Sequence, residues 1–336
     1  MEPILSICIP TYERPLQLEN LLKSIELAYE EYEISLEICI SDSSTDERSE
    51  SIAGAFAKTL NIKYQKNKDA FGYAGNFRNC VNMATGKFAW LVGDDDLVLK
   101  GAFKNIKSLF FSNPEVTFYY INCQKLDHKF IENFESPFDT RNLPKNLDLF
   151  SSFQLDGPLK FDELVNYRVS FDFLGGMYLS IFDRQYWIEN QNVVSLKKFP
   201  GIQFEDLDDT FPHAKIFANA FMGKQAYFSN KPVVVTISGK REWSDFYPLV
   251  RTFRLLDLLE EYRKNGLGFW IYLKNKNATF KHFSFDLSYY RAKKDVRWPE
   301  LKISTYIRSG ILCPNLYISI LRLIAGKLRR IFNSYD

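Results

Sequence analysis

The sequence predicts an α/β protein built on a mostly parallel, Rossmann-like sheet flanked by helices, with a mainly helical extension at its C-terminal end. Three observations carry that prediction. Short apolar runs rich in β-branched residues alternate with amphipathic helical stretches near the N-terminus, as in βαβ units. Three of those runs end in polar clusters: Pro10-Thr11-Tyr12, Ser41-Asp42-Ser43 and Asp94-Asp95-Asp96. From Glu242 onward the apolar spacing becomes that of helices.

Taken in order, residues 4–9 form an apolar run stopped by Pro10, a buried strand. Residues 16–29 place Leu18, Leu21, Leu22, Ile25 and Ala28 on one helical face. A second strand covers 35–40 and runs into the turn and capping cluster 41–46. A helix over 47–60, a strand over 62–64 and a helix over 75–84 follow, the last closing at Gly86 as a C-cap. Residues 87–92 are the next strand, ended by Gly93 and the three aspartates. In such sheets ligands bind beyond the carboxyl ends of the strands, so the three polar ends should line one crevice. Further on, the pattern predicts a strand over 118–121, a long loop over 136–148 and strand character over 169–182 around Gly175-Gly176. It then predicts a helix over 211–222, one or two strands over 226–237, and helices over 247–263 and 317–332. The expected division is a domain over 1–240, with a nucleotide-binding half over about 1–100 and an acceptor half over about 101–240, and a helical extension over 241–336.

With 46% hydrophobic and 25% charged residues, the composition is that of an ordinary globular protein. A net charge of only +2 gives no global attraction to nucleic acid, and none is expected as a partner. Aromatic residues reach 16%, which suits a bulky core and sugar-stacking surfaces. Cys8, Cys39, Cys80, Cys123 and Cys313 are scattered without a CxxC pair, which argues against a disulfide framework or structural zinc and fits a reducing compartment. The N-terminus has no signal-peptide pattern, and no run reaches the ~18 apolar residues of a spanning helix, so a cytoplasmic location is expected.

Three adjacent carboxylates repel one another and favour a protonated or cation-bound state. Their hard oxygens suit Mg²⁺ or Mn²⁺, which would bridge them to a diphosphate. A solvated acidic loop has the same letters, so the surrounding motifs decide. These are Ser6-Ile7-Cys8-Ile9-Pro10-Thr11-Tyr12-Glu13-Arg14, Glu37-Ile38-Cys39-Ile40-Ser41-Asp42-Ser43-Ser44-Thr45-Asp46, Asn67, Gly72, Asn76, Arg78-Asn79, Ala84-Thr85-Gly86 and Trp90-Leu91-Val92-Gly93-Asp94-Asp95-Asp96. In this order and spacing they resemble the family 2 glycosyltransferases of the GT-A fold. The Leu-Val-Gly-Asp-Asp-Asp form is similar to the branch of abequosyltransferase-like enzymes of bacterial surface polysaccharides. The resemblance covers roughly the first two thirds of the chain.

The resemblance implies that Pro10, Thr11, Tyr12 and Arg14 lie beside the nucleotide, with Tyr12 near the base. It places Asp42 on the base or ribose, with Ser44 and Asp46 shaping that turn, and Asn76 and Arg78 along the diphosphate and donor sugar. Asp95 and Asp96 match the family's paired aspartates, on ribose and metal respectively. Asp94, where relatives vary, is a further donor or metal contact. An inverting displacement is implied, in which an acceptor hydroxyl attacks the anomeric carbon and a carboxylate takes its proton. The family's base is the Asp of a Glu-Asp pair opening a helix. Here that region reads Phe204-Glu205-Asp206-Leu207-Asp208-Asp209-Thr210-Phe211-Pro212-His213, with its helix expected to begin near Pro212. The candidate bases are Asp209 and Asp206, then Asp208 and His213, the histidine also as a metal ligand or acceptor contact. Gly175, Gly176 and Asp172 fall on the acceptor side, and Lys240, Arg241 and Trp243 could close over the diphosphate.

The expected partners are a UDP-, GDP-, CDP- or dTDP-linked sugar and a glycan or lipid-linked glycan acceptor. The basic amphipathic stretch 317–332 allows peripheral contact with the inner face of the cytoplasmic membrane, or packing on its own domain or a second subunit. The rivals are a nucleotidyltransferase, which normally shows a glycine-rich basic loop after its first strand, and a catalytically silent sugar-nucleotide or glycan-binding module.

Overall fold

β1 (Leu5–Thr11) and β2 (Leu36–Asp42) are buried along their whole length. Mainly apolar runs produce this in parallel sheets, whose two faces are both covered. The computed structural model describes residues 2–32, 34–68, 72–197, 203–239, 244–294 and 301–332, with the side chains of 329–332 excepted. Contacts divide the chain into two compact units, Met1–Gly201 with Pro212–Lys240, and Ile202–Phe211 with Arg241–Asp336.

The first unit holds the sheet. α1 (Pro15–Glu31) starts on Pro15, whose fixed φ suits a first turn, and buries Leu18, Leu21, Leu22, Ile25 and Ala28. Each fully buried leucine or isoleucine there contributes about 1.5–3 kcal/mol. α2 (Arg48–Phe56), β3 (Ile62–Lys66), α3 (Gly72–Met83) and β4 (Phe88–Leu91) complete the alternation. β5 (Asp96–Val98), β6 (Phe118–Asp127), β7 (Gly157–Lys160), β8 (Ser180–Asp183) and β9 (Gln225–Ser238) extend the sheet.

The strand order is β3-β2-β1-β4-β8-β6-β9-β5, with β7 also on β9. Pairing is parallel from β3 to β4. β8 then runs antiparallel to both β4 and β6, and β5 and β7 run antiparallel to β9, while β6 and β9 are parallel. The predicted parallel sheet is thus the N-terminal half; the other half is mixed. Antiparallel neighbours need no crossover helix, and β8 is reached through irregular chain.

Part of the aromatic excess goes into the core. Phe118 meets Phe161, Phe217 and Phe221 at 4.9–5.1 Å between ring centroids, and Phe182 stacks on Trp187 at 5.2 Å. Residues 169–182 differ from the predicted strand. Two 3₁₀ turns, Phe171–Phe173 and Met177–Leu179, precede β8. Asp172, Phe173 and Leu174 have φ of 46°, 53° and 73°. Three consecutive left-handed non-glycine residues cannot sustain a strand ladder.

One buried carboxylate ties the parallel half together. Glu37 on β2 accepts hydrogen bonds from the Ser6 hydroxyl at 2.6 Å, the Thr85 amide at 2.5 Å and the Gly86 amide at 3.1 Å. Lys63 of β3 pairs with it at 2.6 Å. Burial raises its pKa, but Lys63, Ser6 and Thr85 outweigh that and bring it down to about 2. Because the folded pKa lies below the unfolded one, its contribution is full above about 4.5 and lost as pH falls toward 2. Glu37→Gln is expected to cost about 2–3 kcal/mol at pH 7, the low end of a broken buried pair because Lys63 is partly solvated. Urea denaturation measures it, and the variant's stability should depend less on pH between 4.5 and 2.

The second unit is helical. Leu249, Phe253, Leu256, Phe280, Phe283 and Leu316 form its core. The predicted 247–263 helix is interrupted by a π-helical turn over Val250–Arg254, between Tyr247–Leu249 and Leu255–Lys264. The predicted terminal helix spans Pro314–Phe332.

Candidate functional site

The three polar strand ends do converge. β1 lies between β2 and β4, with Thr11 in register with Asp42 and Cys8 with Leu91. Three residues past Cys8 is Thr11, and three past Leu91 is Asp94. The Thr11 hydroxyl accordingly donates to Asp94 Oδ2 at 2.8 Å. Arg14, at the foot of α1, reaches Asp94 Oδ1 at 3.3 Å and Asp95 Oδ2 at 3.4 Å.

Gly93 makes the carboxylate turn possible. A Cβ there would stand 2.9 Å from Asp96 Oδ2 and 3.0 Å from Asp95 Oδ1, so a larger residue would displace both side chains. The Gly93 amide donates to Asp96 Oδ2 at 3.2 Å. Asp96 is the first residue of β5 and only 2% exposed, while Asp94 is 5% exposed. Burial, and next the Asp95 charge, push Asp94 up to about 7 against the pull of Arg14 and Thr11. A carboxyl held there is poised between its acid and its anion at neutral pH.

A second layer fixes the strand ends. Asn76 of α3 donates to the Thr11 carbonyl at 3.0 Å. Asn67 donates to the hydroxyls of Ser41 at 2.9 Å and Ser43 at 3.1 Å, and to Asn76 Oδ1 at 3.1 Å. Asp42 is fully buried, accepting from the Ser44 amide at 2.7 Å and the Tyr64 hydroxyl at 2.6 Å, with Lys66 at 3.5 Å. Ser44 in turn accepts the Glu13 amide at 2.7 Å, where φ is 55°. That turn leaves Tyr12 40% exposed beside a rigid floor.

Residues 6–158 match the model of the family described as Glycosyl transferase family 2. Over those residues, a little under half of the chain, it is similar to a family 2 glycosyltransferase domain. The abequosyltransferase RfbV of Salmonella typhimurium is 24% identical over 238 residues, 69% of this chain and 66% of that protein. Alignments to two other curated relatives span 33% and 34% of their lengths, so each of the three falls short of two thirds of the relative. Among solved structures, S. aureus TarS 1-349 in complex with UDP-GlcNAc superposes with a TM-score of 0.58 at 17% identity, over 89% of this chain and 78% of that one. A mannosyltransferase from Pyrobaculum calidifontis in complex with GDP-Man and Mn²⁺ superposes with a TM-score of 0.52 at 17% identity, over 99% and 88%. The fold is GT-A.

Within residues 6–158, Pro10, Thr11, Tyr12, Arg14, Asp42, Ser44 and Asp94–Asp96 lie along adjoining strand ends and the turns that follow them, and Asn76 joins them from α3. Arg78 does not join them through its described bonds: its guanidinium donates to Asn192 at 2.6 Å. Asp46 pairs with Arg48 at 2.7 Å at the start of α2. Among the described residues no three His, Cys, Asp or Glu side chains form a ready-made metal cage. The available donors are carboxylate oxygens at one turn, a set that suits a hard cation completing its shell with water and phosphate.

His213 sits within the Pro212–Phe221 helix at 3% exposure. Its Nε2 donates toward the carbonyls of Gly175 at 3.0 Å and Leu174 at 3.2 Å. Burial, only partly offset by those carbonyls, lowers its pKa to about 4. A neutral imidazole whose Nε2 carries the proton fastens the left-handed 172–174 segment, and that nitrogen can serve neither as base nor as metal ligand. Gly176 is packed rather than open, since a Cβ would meet Leu179 at 3.3 Å.

Asp206, Asp208 and Asp209 belong to the second unit. Asp206 caps the one-turn helix Leu207–Thr210, accepting the amides of Asp208 at 3.0 Å and Asp209 at 3.3 Å on Oδ1. Asp209 reaches back with both oxygens, to the amides of Asp206 and Glu205 at 3.1 Å each. What holds this turn comes from a residue about fifty positions further along the chain. Arg254, 5% exposed on the π-helical turn, donates from Nε to the Phe204 carbonyl at 3.0 Å and from Nη2 to that of Glu205. Asp257 pairs with Arg254 at 2.8 Å and accepts the Tyr306 hydroxyl at 2.8 Å. Lys240, Arg241 and Trp243 lie outside the described residues.

Proposed function

We propose that this chain is an inverting, metal-dependent glycosyltransferase that moves a sugar from a nucleotide-sugar to a hydroxyl of a glycan or lipid-linked glycan in bacterial surface polysaccharide synthesis. The observation that carries the reading is the bonding of Thr11 and Arg14 to the Asp94-Asp95 carboxylates at adjoining strand ends. The names of the relatives support transfer of a sugar in that setting, and the GDP-Man and Mn²⁺ of one structural neighbour support a cation.

In this reading Tyr12 offers a ring to the base, and Asp42 fixes the floor beneath the base and ribose. Asp95 receives the ribose hydroxyls, and Arg14 faces the diphosphate. Asn76 holds the Thr11 carbonyl and hence the strand end. Asp96 is the cation ligand, with Asp94 as a second-rank candidate. A bound Mg²⁺ or Mn²⁺ would offset charge growing on the departing diphosphate. The acceptor hydroxyl attacks the anomeric carbon, the bond to the nucleoside diphosphate breaks, and a carboxylate of 206–209 takes the proton.

The reading is tested by screening UDP-, GDP-, CDP- and dTDP-sugars with Mn²⁺ for thermal stabilisation. A donor at about a hundred times its Kd should raise Tm by about 5 °C. Slow release of nucleoside diphosphate from that donor separates an enzyme from a silent binder. A flat response to all donors would remove the proposal.

A further inference from the structure

Among the described residues, the Pro314–Phe332 helix is fastened to its unit through its first turns. Leu316 is 2% exposed, and Ser319 is fully buried, its hydroxyl 2.9 Å from that of Ser284. Beyond Ser319, every residue from Ile320 to Leu328 except Leu323 is exposed. Tyr317, Leu321, Ile324 and Leu328 recur at intervals of four, three and four, which sets them on one helical face. They are 49%, 65%, 50% and 50% exposed. Ile311 and Leu312, just before the helix, add to this apolar surface at 58% and 66%, and the Tyr317 hydroxyl ties to the Ile311 carbonyl at 2.9 Å. Single exposed apolar residues are ordinary; an ordered row of them is not.

Charge decides what covers the row. Residues 301–332 contain six basic side chains, Lys302, Arg308, Arg322, Lys327, Arg329 and Arg330, and no acidic one. Arg308, Arg322 and Lys327 are exposed. The four-three-four spacing would also suit a second copy of the helix. Two such helices would bring like charges together with no carboxylate of their own to answer them. An anionic lipid surface answers both features, with hydrocarbon for the row and phosphate for the basic flank. No described helix is long and apolar enough to cross a membrane.

We propose that the exposed apolar face of the Pro314–Phe332 helix, with Ile311 and Leu312 and the flanking basic residues, docks this protein in the plane of an anionic bilayer. The proposal stands apart from the glycosyltransferase reading, since its readout uses no catalysis. The test sediments the full chain with vesicles of phosphatidylcholine alone and of phosphatidylcholine with phosphatidylglycerol, at low and high salt. Binding is expected only with phosphatidylglycerol, and should weaken as salt rises. Leu321→Glu combined with Ile324→Glu should weaken it by about tenfold or more, with the melting curve unchanged because both sites are exposed. Arg322→Glu combined with Lys327→Glu should do likewise, and serves if the first variant fails to fold. No sedimentation with anionic vesicles, or binding indifferent to both variants, would overturn the proposal. So would a dimer by light scattering that Leu321→Glu with Ile324→Glu converts to monomer.

Discussion

Asp96→Asn is expected to lower kcat/KM by about a thousandfold or more while leaving the fold intact. Asparagine keeps an oxygen for the Gly93 amide that Asp96 Oδ2 now accepts at 3.2 Å, so the turn survives and only the charge is lost. The same change at Asp94 should cost far less, under about tenfold. Burial and Asp95 already hold Asp94 well above the usual carboxylate range, which favours its neutral form and brings it nearer to the amide. Its oxygens are also committed to Thr11 and Arg14. Steady-state kinetics on both variants, with donor affinity measured by calorimetry with and without Mn²⁺, separate the two roles. The Asp96 variant should lose the Mn²⁺ dependence of donor binding; the Asp94 variant should keep it. Near wild-type turnover in Asp96→Asn would sink the assignment of Asp96 as cation ligand.

What was legible in the sequence was whatever is written in consecutive residues. The runs ending at Thr11, Asp42 and Asp94 announce strand ends, and parallel strands side by side must bring those ends together. The partners that set their electrostatics were not legible, because they come from other strands and helices. Glu37 gathers Ser6, Thr85, Gly86 and Lys63 from separations of up to 49 residues, yet in sequence it is one acidic residue within an apolar run. Arg254 holds the Phe204 and Glu205 carbonyls from 50 and 49 residues away. His213 reads as a candidate ligand or base, and nothing in its sequence neighbourhood shows that its Nε2 faces two backbone carbonyls. The 169–182 segment misleads for a related reason. Its apolar letters are those of a strand, but Tyr120 binds the Phe171 amide at 3.0 Å and His213 binds the carbonyls after it, and those distant contacts hold a left-handed path that local preference opposes.

The proposed proton acceptor is the remaining role with a large expected effect, and the capping geometry separates its candidates. Asp209 spends one oxygen on each of two backbone amides. In Asp209→Asn the side-chain amino group would face one of those N–H groups, so a loss of about 1 kcal/mol of stability is expected, with activity falling only as the turn loosens. Asp206 makes both of its capping bonds through Oδ1, and asparagine is as good an N-cap as aspartate. Asp206→Asn keeps both capping bonds and should stay close to the parent protein in stability, yet lose about 10²–10⁴ in kcat with donor affinity unchanged, because the proton acceptor has been removed. Arg254→Met supplies the control for positioning. It frees the Phe204 and Glu205 carbonyls and takes the ion-pair partner from Asp257, but leaves Asp206, Asp208 and Asp209 unchanged, and should lower kcat while leaving the pH dependence of the remaining activity as it was. If Asp209→Asn, rather than Asp206→Asn, loses turnover at unchanged stability and donor affinity, the base is Asp209, and the cap at Asp206 is structural only.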